Sequence, residues 1–139
     1  MKVLVLDDDP LVRSFLQGAL TQRGHDVMSY PAPGACPLFT SPTCPCGLDG
    51  QCPDAILIDV HLPGADGFDF AAEQQRKGCR CHHVAMMSGT WSSAELARSK
   101  QMGLTFFAKP FHLGRLLAWL AQADLKAQQT SLANASGAA

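Results

Sequence analysis

The stretch Asp54-Ala55-Ile56-Leu57-Ile58-Asp59 decides the fold of this chain. It is a short apolar run between two acids, preceded by Pro53 and followed shortly by Pro63-Gly64. A continuous apolar run of this length, β-branched at two positions, predicts a parallel strand that is buried on both faces. In open α/β sheets, functional groups gather beyond the carboxyl ends of the strands. Asp59 is therefore the first candidate for the chemical centre.

Predicted strands and helices alternate on both sides of this stretch. The other predicted strands are Lys2–Leu6, His25–Tyr30, Val84–Met87 and Leu104–Phe107. The predicted helices begin at Asp9-Pro10, after Gly67, at the capping box Ser92-Ser93-Ala94-Glu95 and near Phe111, with at most a short one around Ala35–Thr40. Since crossovers between parallel strands are right-handed, this alternation predicts a doubly wound α/β fold with a five-stranded parallel sheet.

Length and composition indicate one domain and exclude several classes of partner. The chain has 139 residues, 47% of them hydrophobic, and a net charge of -1. No basic stripe is present, so direct binding to nucleic acid or to an anionic membrane is not indicated. No apolar run approaches the roughly 20 residues needed to span a bilayer. The apolar start at Met1–Leu6 is cut short by Asp7-Asp8-Asp9, unlike a signal peptide, and we expect a cytoplasmic protein.

Reactive or polar side chains follow four of the five predicted strands. They are Asp7 and Asp8, Asp59, Ser88 and Lys109. The carboxyl ends of parallel strands share one edge of a sheet, so these groups are expected to converge. Three clustered carboxylates repel one another without a cation, and oxygen ligands point to Mg²⁺. A carboxylate nucleophile with Mg²⁺, a lysine and a hydroxyl is a set typical of phosphoryl transfer onto an aspartate.

Four segments, in order and spacing, make the chain resemble the receiver domain of two-component response regulators. They are Val5-Leu6-Asp7-Asp8-Asp9-Pro10-Leu11-Val12-Arg13, Ile58-Asp59-Val60-His61-Leu62-Pro63-Gly64-Ala65-Asp66-Gly67, Met87-Ser88-Gly89 and Phe107-Ala108-Lys109-Pro110-Phe111. The resemblance implies a flavodoxin-like sheet of strand order 2-1-3-4-5. It assigns residues 1–128 to a single receiver domain with a Cys-rich insert at 34–53, and we expect residues 129–139 to be a flexible tail.

The resemblance also implies a role for each pocket residue. Asp59 would be the phosphoacceptor, taking the phosphoryl group from a phosphohistidine on a sensor histidine kinase or a phosphotransfer protein. Mg²⁺ would be bound by Asp8 directly, by Asp7 partly through water, by Asp59 and by the backbone carbonyl of His61. Lys109 would pair with the phosphoryl oxygens. The chain would then be a stand-alone signalling phosphoacceptor rather than an enzyme, with slow autodephosphorylation at most.

A switch is the second implication of the resemblance. Ser88 would hydrogen-bond the phosphoryl group, and the aromatic side chain of Phe106 would follow the movement inward. These changes would reshape the face built from the fourth helix, the fifth strand and the fifth helix, which includes Trp91, for an unknown downstream protein. The Lys109-Pro110 bond is expected to be cis, and Gly67 to supply backbone freedom beside the site.

The cysteines do not belong to the family pattern, and three interpretations stay open. The chain has six, at Cys36, Cys44, Cys46, Cys52, Cys79 and Cys81. The segments before the third and fourth strands lie at the amino ends of neighbouring strands, opposite Asp59. Thiolates from Cys44, Cys46 and Cys52 with Cys79, Cys81 or His82 could therefore bind a structural Zn²⁺. Disulfides and free thiols are the alternatives.

Two rival functions use the same residues differently. A haloacid-dehalogenase-like phosphatase would take its nucleophile from Asp7 or Asp9 in the first strand's Asp-x-Asp, but Pro10-Leu11 and the absence of a cap domain speak against it. A receiver-shaped metal or redox sensor would use the cysteines and leave Asp59 idle. Simpler interpretations exist as well, since acids are favourable at any helix N-terminus, Ser88 suits a turn, and Phe106 suits a core.

Overall fold

The structure is a computed structural model, and it describes residues 1–36, 52–79, 81 and 83–137. Its strands are β1 (Lys2–Leu6), β2 (Asp26–Tyr30), β3 (Ala55–Asp59), β4 (His61–Leu62), β5 (Ala65–Asp66), β6 (Val84–Ser88) and β7 (Thr105–Ala108). Its α-helices are α1 (Pro10–Thr21), α2 (Gly67–Arg76), α3 (Ser93–Gln101) and α4 (Leu113–Gly137), and a 3₁₀ turn covers Pro33–Ala35.

The main sheet confirms the predicted fold class and strand order. Its five strands run in the order β2-β1-β3-β6-β7, and every neighbouring pair is parallel. Because β6 and β7 are the fourth and fifth strands of this sheet, the order is 2-1-3-4-5. β3 lies at the centre, and all five of its residues are buried, as its apolar sequence predicted.

Alternate residues of β3 point to opposite faces of the sheet and into two separate cores. Ala55 and Leu57 pack with α1 and α4, while Ile56 and Ile58 pack with α2. Four of these residues are at most 2% exposed, and burial of a side chain the size of Leu57 contributes roughly 1.5–3 kcal/mol. Helices thus cover both faces, and only the two edges formed by the strand ends remain to carry polar chemistry.

The helix boundaries follow local sequence signals. Asp9 caps α1 by accepting from the backbone N–H of Leu11 at 2.9 Å, and Pro10 occupies the first turn. Ser92 and Glu95 form the predicted capping box at the start of α3. These caps fix where the loops end, and therefore where the residues after β1 and β6 lie.

Two segments differ from the sequence-based expectation. The predicted loop after Asp59 contains a small antiparallel hairpin of β4 and β5, closed by Pro63 and by Gly64 in the left-handed region at φ 71°. α4 continues to Gly137, so residues 129–137 are helical, which we did not predict; the flexibility expected of this tail stays a prediction. The sequence from Ala127 to Ser136 lacks Gly and Pro and contains Ala, Gln and Leu, which favour helix.

The predicted Cys-rich insert falls largely outside the described residues. Of the range 34–53, only residues 34–36, 52 and 53 are described. Most of the short helix expected around Ala35–Thr40 also lies outside the described residues; the 3₁₀ turn Pro33–Ala35 reaches its first residue. Among the helices of the described residues, none combines the length and apolar character that crossing a bilayer requires.

Candidate functional site

Three carboxylates meet at the carboxyl edge of the sheet. Asp7 and Asp8 follow β1, and Asp59 ends β3, which is the neighbouring strand. One ligand oxygen of each lies within 4.8 Å of the others. Asp7 and Asp59 are buried, whereas Asp8 is exposed. The sequence-based expectation that strand ends bring these side chains together agrees with this geometry.

Both carboxylate oxygens of Asp59 accept hydrogen bonds. Oδ1 accepts the backbone N–H of His61 at 3.1 Å, and Oδ2 accepts from Nζ of Lys109 at 3.0 Å. Burial raises the pKa of Asp59 above its ordinary value, and the bonds from His61 and Lys109 oppose that rise, while the negative charge of Asp7 adds to it. The carboxylate is thus oriented by fixed donors at the edge of the sheet.

Lys109 lies between the two buried carboxylates. Its Nζ is 2.6 Å from Oδ2 of Asp7 and 3.0 Å from Oδ2 of Asp59. Burial by itself lowers the pKa of Lys109, but the hydrogen bonds and charges of Asp7 and Asp59 outweigh it, so the net pKa is raised. The lysine is therefore a charged group at neutral pH. It immediately precedes Pro110, and the Lys109-Pro110 bond is cis, as the resemblance implied.

The residues present fit a divalent cation. Three carboxylates carry more negative charge than the single ammonium of Lys109 can neutralise. Oδ2 of Asp7 is buried, and its partner among the described residues is the ammonium of Lys109, which Asp59 shares. An all-oxygen set whose negative charge is only partly neutralised is the donor chemistry that Mg²⁺ takes.

Hydrogen bonds from the loop after β1 and from α1 hold Asp7 in place. The bond from α1 was not predicted from the sequence. Oδ1 of Asp7 accepts the backbone N–H of Asp9 at 2.9 Å. The guanidinium of Arg13, one turn into α1, donates to the backbone oxygen of Asp7 at 2.6 Å. The position of Arg13 six residues after Asp7 was the only signal for this contact. Asp9 itself caps α1 through its Oδ1.

Gly67 is required by space rather than by backbone freedom. A Cβ built at this residue would lie 2.2 Å from the backbone oxygen of Asp59 and 3.0 Å from a methyl group of Ile58. Its φ is not among the positive values in the chain. The expectation of conformational freedom was therefore wrong: α2 begins against the end of β3, and only a glycine lets the two backbones approach this closely.

Ser88 and Phe106 occupy the positions predicted for a switch. Ser88 ends β6 and is fully buried, and its hydroxyl donates to the backbone oxygen of Thr90 at 3.0 Å. Phe106 lies on β7 with 39% of its surface exposed, so its ring points outward and is not the core residue that the simpler interpretation required. Ser88 is thus bonded to its own loop and Phe106 is partly exposed, while their switch roles stay a prediction.

The cysteines do not form the predicted zinc site among the described residues. Sγ of Cys52 lies 3.9 Å from Sγ of Cys79, and Sγ of Cys81 points instead to the backbone oxygen of His83 at 3.8 Å. Within the described part of the chain, the only group of three or more possible ligands is the acidic one at Asp59. Cys44, Cys46 and His82 lie outside the described residues.

The surroundings of these sulfur atoms explain why the described cysteines do not form a zinc site. Cys36, Cys79 and Cys81 belong to the same apolar core as the α2 side of the sheet, and Cys52 packs against it. Cys36, Cys79 and Cys81 in such surroundings behave as small hydrophobic residues, whereas Cys52 is disulfide-bonded. Zinc binding by Cys52, Cys79 and Cys81 is not supported.

The fold and the site together define a class of protein. Residues 3–121 match the family model described as the response regulator receiver domain. The chain therefore belongs to the receiver domains of two-component response regulators. Receiver domains are signalling domains that bind Mg²⁺ at an acidic pocket, exchange phosphoryl groups with histidine kinases or phosphotransfer proteins, and are not classical enzymes.

Relatives of known identity are similar over most of the chain. The transcriptional regulatory protein TcrA of Mycobacterium tuberculosis is 31% identical over 121 residues, covering 86% of this chain and 44% of TcrA. The response regulator MprA of Mycobacterium avium is 27% identical over 119 residues, covering 85% of this chain and 48% of MprA. This chain thus spans less than half the length of these relatives.

Solved structures support the fold alone. The signal receiver domain of a LuxO repressor protein from Vibrio parahaemolyticus superposes with a TM-score of 0.77 at 18% identity, covering 94% of this chain and 95% of that one. The chemotaxis protein CheY4 of Vibrio cholerae gives a TM-score of 0.68 at 23% identity, covering 88% and 97%.

Proposed function

We propose that this chain accepts a phosphoryl group on Asp59 and thereby changes the surface that it offers to a downstream protein. The donor is a phosphohistidine of a sensor histidine kinase or a phosphotransfer protein. The observation that carries the proposal is the position of Asp59, within 4.8 Å of Asp7 and Asp8 and 3.0 Å from Lys109. We place this signalling chain in the cytoplasm, where such kinases present their phosphohistidine.

The transfer is a single displacement at phosphorus. An oxygen of Asp59 forms the new O–P bond while the P–N bond of the phosphohistidine breaks, and the electron pair of that bond returns to the imidazole. The N–H of His61 and the ammonium of Lys109 hold the carboxylate in one orientation before the donor arrives. Such positioning is the main contribution that a protein makes to phosphoryl transfer.

Asp7, Asp8, Asp59 and the backbone carbonyl of His61 are the groups that would hold Mg²⁺. Bound there, the ion supplies a positive charge that the developing phosphoryl oxygens need. Asp8, exposed at the edge, offers its carboxylate without breaking a buried contact. Asp7, fixed by Asp9 and Arg13, offers the oxygen that pairs with Lys109.

Lys109 and Ser88 complete the phosphoryl pocket from the other two strand ends. Once Asp59 is converted to the acyl phosphate, its carboxyl group no longer carries a charge, and the ammonium of Lys109 then pairs with the phosphoryl oxygens. The hydroxyl of Ser88 then donates its hydrogen bond to a phosphoryl oxygen instead of to the backbone oxygen of Thr90. Since both contacts exist only in the phosphorylated form, they favour that form's conformation.

The output is a shift between two populated conformations. In the first, Phe106 is turned outward on β7. In the second, Ser88 has moved toward Asp59 and Phe106 follows inward, which alters the face formed by α3, β7 and α4. A partner that binds one conformation better than the other reads the phosphorylation.

The test is to locate the phosphoryl group. The purified chain is incubated with acetyl phosphate and Mg²⁺, and the modified residue is identified by borohydride reduction and peptide mass spectrometry. We expect modification of Asp59 that is lost when Mg²⁺ is chelated. Modification of Asp7 instead would contradict the proposal and would favour the haloacid-dehalogenase-like phosphatase.

A further inference from the structure

Trp91 links the end of β6 to β7 through one side chain. It lies three residues after Ser88 in the loop that leads to α3. Its indole N–H donates to the backbone oxygen of Phe107 at 3.2 Å. Its ring packs on that of Phe106, with centroids 5.3 Å apart and planes at 58°. A rotation of the Phe106 side chain therefore has to break or rebuild the contact with Trp91.

The hydroxyl of Ser88 controls the residue that precedes Trp91. It donates to the backbone oxygen of Thr90 at 3.0 Å and accepts the backbone N–H of Thr90 at 3.2 Å. A serine hydroxyl has a single proton to donate. If that proton goes to a phosphoryl oxygen on Asp59, the carbonyl of Thr90 loses its partner, and the loop is released immediately before Trp91.

Trp91 also contacts α2, the helix that follows Asp59 and the β4–β5 hairpin in the chain. Its ring meets that of Phe68, in the first turn of α2, edge to face at 6.5 Å and 75°. The guanidinium of Arg98, from α3, lies over the same Phe68 ring, 4.9 Å from its centroid. The indole is thus held between α2, β7 and the β6 loop, and a shift of the loop cannot leave it in place unchanged.

We propose that Trp91 is a positioning residue of the switch, which transmits the movement of the Ser88 loop to Phe106 through its indole. The inference rests on the proposed phosphorylation of Asp59. It adds a residue and a route that the resemblance did not assign: Ser88 to Thr90, Trp91 to the backbone of β7, and Trp91 to the ring of Phe106.

The chain contains two tryptophans, which makes the route measurable. Trp119 lies on α4 in the other core, stacked on His83 at 4.1 Å. In Trp119→Phe, emission reports Trp91 alone, and in Trp91→Phe it reports Trp119 alone. Mg²⁺ and beryllofluoride serve as the phosphoryl analogue, and the ¹⁹F resonance of the bound analogue is recorded for each variant. If Trp119→Phe does not fold, the wild-type spectrum minus that of Trp91→Phe isolates the same signal.

We expect beryllofluoride to shift the emission of Trp119→Phe and to leave that of Trp91→Phe unchanged. Hydrogen exchange of the β7 peptide should change on beryllofluoride binding in the wild type. In Trp91→Ala, which lacks both the ring and the donor, that change should be lost while the bound ¹⁹F resonance persists. In Ser88→Ala at saturating analogue, Trp91 emission should stay at its unliganded position.

The outcomes separate the two proposals. Absence of a bound ¹⁹F resonance in the wild type, matching an Asp59→Asn control, would contradict the phosphoacceptor function itself. A bound resonance with unchanged Trp91 emission would overturn the role of Trp91 and leave the function standing. A β7 exchange response that survives in Trp91→Ala, with only the melting temperature lowered, would reduce Trp91 to a structural residue and also overturn the proposal.

Discussion

Both ends of β3 carry potential metal ligands in the sequence, but in the described structure the two ends arrange these residues differently. At the carboxyl end, Asp59 meets two further carboxylates and Lys109. At the amino end, Asp54 precedes the strand and the sulfur atoms of Cys52 and Cys79 lie 3.9 Å apart. Neighbouring strands bring reactive residue types to both edges. Only the carboxyl edge gathers them into a set of metal ligands within the described residues.

The difference lies in what each polar group does with its hydrogen bonds. Asp54 and Lys2 exchange two bonds: the backbone N–H of Lys2 donates to Oδ2 of Asp54, and the N–H of Asp54 donates to the oxygen of Lys2, both at 2.8 Å. These bonds extend the ladder between β1 and β3. By contrast, the buried Oδ2 of Asp7 shares the single ammonium of Lys109 with Asp59, so these carboxylates are only partly neutralised by the described residues. A metal site needs ligand atoms whose negative charge the fold has not fully neutralised.

The largest expected effect compares the acids that flank β3. Asp59→Asn removes the nucleophile, because an amide oxygen does not form the acyl phosphate, and we expect phosphoryl incorporation from acetyl phosphate to fall to background. Asp54→Asn is the matched control, since its amide oxygen still accepts the N–H of Lys2. Incorporation, measured by intact mass, should equal that of the wild type.

Either of two results would break this comparison. Full incorporation into Asp59→Asn would show that the acceptor lies elsewhere at the carboxyl edge. Loss of incorporation in Asp54→Asn, with an unchanged melting temperature, would show that the amino end contributes to the chemistry.

A second effect tests how tightly the carboxyl end is built. Gly67→Ala places a methyl group where the backbone oxygen of Asp59 lies only 2.2 Å away. The start of α2 has to shift, at a cost of about 1–3 kcal/mol or more in unfolding free energy, and phosphoryl incorporation should fall as well. Gly18→Ala, in α1 with nothing within 4 Å, should instead stabilise by about 0.5–1 kcal/mol.

Urea unfolding and acetyl phosphate labelling measure both variants. If Gly67→Ala matched the wild type in both, the close approach of α2 to Asp59 would not be a constraint on the site.

The sequence predicted the carboxyl edge well because its signals were specific. The apolar run of β3 and the polar residues after four strands predicted both the sheet and the convergence of Asp7, Asp59 and Lys109. Contacts made by ordinary residues were not predicted. The bond from Arg13 to the backbone of Asp7 and the steric need for Gly67 depend on distances between segments, which spacing along the chain does not encode.

The sequence left the amino edge undecided for a related reason. Six cysteines and the neighbouring amino ends of two strands allowed zinc, disulfides or free thiols, with no unsatisfied charge to favour the metal. In the structure, Cys79 and Cys81 are each 8% exposed, within an apolar core. The extension of α4 to Gly137 was not predicted either, because the small polar residues of this stretch include good helix formers that we did not weigh.

The smallest expected effect is the stabilisation of the folded chain by Mg²⁺, which compares the two ends of β3 as metal sites. A cation that binds only the folded chain stabilises it, by about 1.4 kcal/mol when its free concentration is about ten times its dissociation constant. We expect Mg²⁺ to raise the unfolding free energy by this mechanism, because it relieves the repulsion among Asp7, Asp8 and Asp59. Asp8→Asn removes one exposed ligand and should abolish most of the gain, while Asp54→Asn should retain it.

Zinc should behave in the opposite way at the amino end. Metal analysis of protein purified without immobilised nickel should find no stoichiometric zinc, and a zinc-selective chelator should leave the urea midpoint unchanged. One equivalent of zinc per chain, lost together with stability on chelation, would show that the amino end is a metal site. An undiminished Mg²⁺ response in Asp8→Asn would show that the carboxyl end is not the site we describe. Because the two measurements address opposite edges of one sheet, each can fail without the other.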